Sequence, residues 1–136
     1  MSDGTKTKPK ILIVEDDYDN QKFLEIFLKK YYDVVSCESE QSFYKCLNDY
    51  SFDLIIMDIS LKGNKNGLEL TKEIKNNPQF KNLPIVCLTA HAFPKDKENA
   101  IEAGVDVFLS KPVENFVLIN TINDFLKKKF VNNFKA

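Results

Sequence analysis

Five polar residues stand at the ends of short apolar runs, and their types are those that phosphoryl chemistry uses. Glu15 and Asp16 follow ILIV (Ile11–Val14), Asp58 closes DLIIMD (Asp53–Asp58), Thr89 closes PIVCLT (Pro84–Thr89), and Lys111 closes DVFLSK (Asp106–Lys111). Three carboxylates brought together repel, and at least one pKa rises unless a cation is present. Oxygen donors without nitrogen or sulfur ligands suit a hard divalent ion, Mg2+ best. A carboxylate can also be the nucleophile toward phosphorus, giving an aspartyl phosphate. Charge on the phosphoryl group in transit then calls for a metal and a fixed cation, and Lys111 can supply the second. The Thr89 hydroxyl and the N–H of Ala90 can bind a phosphoryl oxygen. Singly, an acid just past a strand is ordinarily a helix cap or a solvated loop residue, and a lysine before proline is a surface charge. Their joint placement at four strand ends is what points to a site.

The elements that must position these residues alternate. Strands are expected at Ile11–Val14, Asp33–Glu38, Asp53–Asp58, Pro84–Thr89 and Asp106–Lys111. Apolar spacing predicts helices from Asp17 or Asp19 through Lys30, over Glu40–Tyr50, Gly67–Asn76, Lys95–Ala103 and Glu114–Phe130, with Gly104 ending the fourth. The strands are continuous apolar runs rather than alternating ones, so they are buried on both faces. That pattern means a parallel sheet with helices on each side, an α/β doubly wound sheet of five strands and five helices. In such sheets the carboxyl ends share one edge, where ligand crevices form.

Composition removes other chemistries. The 136 residues fit one domain with a single core, set out as a polar lead 1–9, a domain 10–130 and a tail 131–136. Lysines account for all 19 cations, so no arginine can clamp or finger a phosphate. One histidine, His91, excludes a multi-histidine metal site. The net charge of −1 argues against a nucleic-acid binder, but it hides an imbalance: residues 11–126 hold 12 lysines and 19 acids, or −7, while the two ends carry +6. Cys37, Cys46 and Cys87 lack a C-x-x-C spacing and read as free thiols of a reducing compartment, with Cys46 and Cys87 as small buried hydrophobes. No apolar run approaches the length that spans a bilayer, so a soluble cytoplasmic protein without membrane or nucleic-acid partner is expected.

The strings ILIVEDD, LIIMDISL, PIVCLTAHA and DVFLSKPV, in that order over residues 10 to about 127, resemble the receiver domain of bacterial two-component response regulators. The resemblance implies the flavodoxin-like strand order 2-1-3-4-5, which a chemotaxis protein of that family illustrates as a known example. It implies Asp58 as phosphoacceptor, Asp16 as a direct Mg2+ ligand with Glu15 acting through water, and the Ser60 carbonyl as a further ligand. Thr89 would be the switch hydroxyl, Phe108 the switch aromatic and Lys111 the cation on the phosphoryl group, with a cis Lys111–Pro112 bond. A histidine kinase or histidine phosphotransfer protein would donate, docking near Asn20 and Phe23. A downstream protein would read the surface of helix 4, strand 5 and helix 5.

Two positions depart from the family. Lys62 stands where proline is common, and Asp58 to Gly67 spans nine residues, one more than the usual spacing. His91 reads as a loop histidine without a role. The rivals are weaker. A flavin site would want a phosphate-cradling loop where Glu15-Asp16-Asp17 stands. A phosphohydrolase would want an acid at Ser60, and a phosphorylation-independent interaction module would not need the full set of acids, Thr89 and Lys111. The chain is expected to be a stand-alone receiver or one excised from a hybrid kinase.

Overall fold

The structure, a computed structural model, describes residues 8–59, 66–90 and 93–135, the side chains of 129–135 excepted. Ser60, Lys62 and His91 lie outside the described residues. In chain order the elements are β1 (Lys10–Val14), α1 (Tyr18–Leu28), β2 (Asp33–Cys37), α2 (Glu40–Asp49), β3 (Leu54–Met57), α3 (Gly67–Lys75), β4 (Ile85–Thr89), α4 (Pro94–Ala103), β5 (Val107–Ser110) and α5 (Asn115–Lys135). The strands form one parallel sheet in the order β2-β1-β3-β4-β5, the doubly wound flavodoxin-like arrangement.

The unbroken apolar strands are what allow this. Every residue of β3 and β4 is buried, as are Ile11–Val14 of β1. Alternate residues of each strand feed two cores. Leu12, Val14, Ile55, Met57 and Cys87 pack with Phe43, Leu47, Leu70 and Ile74 of α2 and α3 on one face. Ile11, Ile13, Ile56, Val86 and Leu88 pack with Leu24, Leu28, Leu118 and Ile122 of α1 and α5 on the other. Helix starts are fixed by side chains that accept otherwise orphan amides. Asp17 rather than Asp19 caps α1, accepting from the Asn20 N–H, and Ser39 and Asn66 cap α2 and α3 within reciprocal capping boxes.

Boundaries shift from expectation where hydrogen bonding decides. Asp53 and Asp106 leave their strands to accept the N–H groups of Lys10 and Ile85, so β3 and β5 begin one residue later. α5 runs on past Phe130, carrying helical backbone into the segment expected as a tail.

Candidate functional site

β1 delivers Glu15 and Asp16, β3 delivers Asp58, and β4 delivers Thr89 to the carboxyl edge of the sheet, with Lys111 directly after β5. Backbone bonds carry the ladder through these residues: Glu15 N–H donates to the Cys37 carbonyl at 3.0 Å, Asp58 N–H to that of Val14 at 3.0 Å, and Lys111 N–H to that of Thr89 at 2.9 Å. The phosphoacceptor candidate is therefore no freer to move than the sheet.

The Lys111 ammonium lies 2.7 Å from Glu15 Oε1 and 3.7 Å from Asp58 Oδ2. Glu15, Asp58 and Thr89 are buried at 2%, 6% and 0% exposure, a burial that carboxylates tolerate only when paired. Burial raises the Glu15 carboxyl above its ordinary value, Lys111 lowers it, and the Asp58 charge beside it raises it again. Beneath the site burial pushes the Cys87 thiol up to about 12, so it holds its proton at neutral pH and is no nucleophile. Asp16 sits half-buried on the Glu15–Asp17 turn. Among the described residues, no three His, Cys, Asp or Glu side chains are already gathered as a metal cage. What fits a hard cation is the donor chemistry: oxygen ligands only, two of them buried and mutually repelling.

Phe108 of β5 is half-buried, pairs with Cys87 in register, and packs against the core that faces α2 and α3. The Lys111–Pro112 peptide is cis. Ala90 is exposed at the site's rim. Asn20 and Phe23 of α1 line a groove of about 500 Å³ with Ala90, Lys111, Pro112 and Val113, so the groove opens onto the site.

The roles of three residues escape a reading from spacing. Gly67 starts α3 so close to Asp58 that a Cβ there would stand 2.3 Å from the Asp58 carbonyl oxygen and 2.8 Å from Ile59 Cα. Buried Thr71 donates to the Gly67 carbonyl at 2.8 Å. Gln21 donates from Nε2 to the carbonyls of Glu15 and Cys37. Only Gly67 leaves a trace in the sequence, as a poor helix former placed directly after a capping asparagine.

A family model described as the response regulator receiver domain matches residues 11–130. The polar-differentiation response regulator DivK of Brucella ovis is 31% identical over 117 residues, covering 85% of this chain and 94% of DivK. A Vibrio cholerae protein named a probable cyclic di-GMP phosphodiesterase is 31% identical over 119 residues, covering 88% of this chain, which spans only 27% of that protein's length. Among solved structures, the receiver domain of the Pseudomonas aeruginosa sensor histidine kinase PA1611, which has a magnesium ion coordinated in its active-site cleft, superposes with a TM-score of 0.80 at 28% identity, covering 90% of this chain and 99% of that one.

Proposed function

The chain belongs to the response regulator receiver domain family, and from that membership we propose that it accepts a phosphoryl group from a phosphohistidine onto Asp58 and signals by a change of surface. The observation that carries the proposal is the Lys111 ammonium, held 2.7 Å from Glu15 and 3.7 Å from Asp58 at the carboxyl edge of the sheet. Mg2+, held by Asp16 and Asp58, by Glu15 through water and by the Ser60 carbonyl, would supply neutralisation of the phosphoryl oxygens.

This chain's own residues do the rest. An Asp58 carboxylate oxygen attacks phosphorus as the P–N bond to the donor imidazole breaks, so the group passes from nitrogen to oxygen with no water consumed. Lys111 is already beside Asp58 and follows the charge onto the transferred group. The Thr89 hydroxyl and the Ala90 N–H take phosphoryl oxygens, and Phe108 moves into the space that Thr89 gives up. The readout surface is α4, β5 and α5, where Phe93, Ile101 and Phe116 are exposed large apolar residues. The donor, a histidine kinase or histidine phosphotransfer protein, docks on the groove beside Asn20 and Phe23. Asp58 turns over only its own phosphate, so the protein is no enzyme toward an outside substrate. No helix among the described residues is long and apolar enough to cross a membrane, and a cytoplasmic location belongs to the same proposal, consistent with three cysteines outside any disulfide.

Incubation with acetyl phosphate and Mg2+ tests it. The expected product is a hydroxylamine-sensitive phosphate present in the wild type and absent from Asp58→Asn. A label of equal amount in Asp58→Asn would overturn the assignment.

A further inference from the structure

β1 and β2 run in parallel register to Val14↔Cys37, and the Glu15 N–H to Cys37 carbonyl bond adds one rung beyond the strands. There the ladder loses its next donor. The amides of Glu38 and Ser39 both turn to the Ser42 hydroxyl, at 3.2 and 3.1 Å, as α2 is capped. In a continued parallel ladder the Glu15 carbonyl would accept from β2; here it accepts from Gln21 Nε2 at 3.0 Å, and the same NH2 group reaches the Cys37 carbonyl at 3.3 Å. Both groups facing the side-chain amide are acceptors, which sets its orientation: the nitrogen must point inward.

We infer that Gln21 is a positioning residue, whose side-chain amide fixes the Glu15–Asp16 peptide and thereby holds the acidic pair in the orientation that a cation requires. The inference rests on the function proposed above. The mechanism is leverage. The Glu15 carbonyl and the Asp16 nitrogen belong to one rigid peptide plane, so a hydrogen bond at one end sets where the Asp16 side chain departs at the other. Outer partners of this kind orient ligands that they do not themselves replace. α1 supplies the side chain from its first turn, itself anchored where the Gln21 N–H meets the Asp17 carbonyl at 2.9 Å. The turn that carries the acids is thus closed at both ends by the helix that follows it.

Two variants of similar length separate this role from simple charge or simple stability. Gln21→Met removes the donor without adding charge, and Gln21→Glu removes it while adding a negative charge that would by itself attract Mg2+. The dissociation constant for Mg2+, read by titration of backbone amide resonances, is expected to rise about tenfold in both. In the metal-free wild type, the Gln21 side-chain protons and the Glu15 amide are expected to be protected from solvent exchange, and in Gln21→Met the Glu15 amide is expected to exchange about tenfold faster. Mg2+ affinity within twofold of wild type in Gln21→Met, tighter binding in Gln21→Glu, or unprotected Gln21 side-chain protons in the wild type would each overturn the inference. A wild type that binds no Mg2+ brings down the proposed function together with it, whereas a wild type that binds Mg2+ and a Gln21→Met that binds equally well bring down the inference alone.

Discussion

Asp58 is held from behind by a residue with no side chain. Gly67 opens α3 against the backbone of Asp58 and Ile59, and the atoms that a Cβ would meet are backbone atoms rather than flexible tips. Two effects oppose each other in Gly67→Ala. Alanine favours the helix by about 1 kcal/mol, but overpacking against fixed backbone costs about 1–3 kcal/mol and the contact here lies at 2.3 Å. The clash wins: urea unfolding should show a less stable protein, and acetyl phosphate should label it more slowly because Asp58 has been displaced. Tyr32 offers a prediction in pH. Its hydroxyl, buried and donating to Asn123 Oδ1 at 2.7 Å, has its pKa pushed by burial from 10.0 to about 12. Above pH 10 the unfolded chain releases this proton while the folded one keeps it, so stability falls with rising pH until the folded group also ionises. The wild type should lose about 1 kcal/mol per pH unit more than Tyr32→Phe between pH 10 and 12, in parallel denaturation series.

Helix α4, part of the proposed readout surface, is lightly anchored. Only Ala100 and Ala103 of its ten residues are buried, and its start lacks a side-chain cap of the kind that α1, α2 and α3 have. Its far end is held differently. Lys75, the last residue of α3, reaches the Leu83 carbonyl at 3.0 Å and Asp106 Oδ2 at 2.9 Å, while its stem lies under Gly104, whose φ of +111° turns the chain out of α4. Asp106 in turn accepts the Ile85 N–H at 2.7 Å. One ammonium thus ties α3, the start of β4 and the turn before β5 at the edge away from the site. Lys75→Met should cost about 1–2 kcal/mol, with three hydrogen bonds from a charged group lost and the pair partly exposed. Hydrogen exchange should localise the effect to the α4–β5 turn and leave the Glu15 and Asp58 amides protected. None of this is legible in spacing: Lys75 and Asp106 are 31 positions apart, and nothing local marks a lysine as a staple. The termini of elements were hidden for the same reason, since Asp53 and Asp106 spend their carboxylates on amides of distant strands.

At the scale of the whole molecule, the parallel sheet and the edge that bears the site were readable from the chain because an unbroken apolar run followed by a polar residue has few places to go, whereas the strand order came from the family resemblance. Glu15, Asp58, Thr89 and Lys111 stand together at that edge. Gln21 was not readable, because its partners are backbone carbonyls, which no residue type announces, one of them 16 positions away. The proposed cation should show itself globally as well. At a hundredfold excess over its dissociation constant Mg2+ adds about 2.7 kcal/mol to stability, raising the melting temperature by roughly 5–10 °C for a domain of this size. Chelation should reverse the rise, and Asp58→Asn should blunt it.

The Lys111–Glu15 pair joins residues 96 positions apart, across a sheet in which β5 is both the last strand and an edge. During synthesis the acids leave the ribosome first and the ammonium leaves last. A growing or truncated chain therefore presents carboxylates but no cation to receive a phosphate beside them. Under the proposed function, competence to draw phosphate from a donor would arrive only with the completed domain.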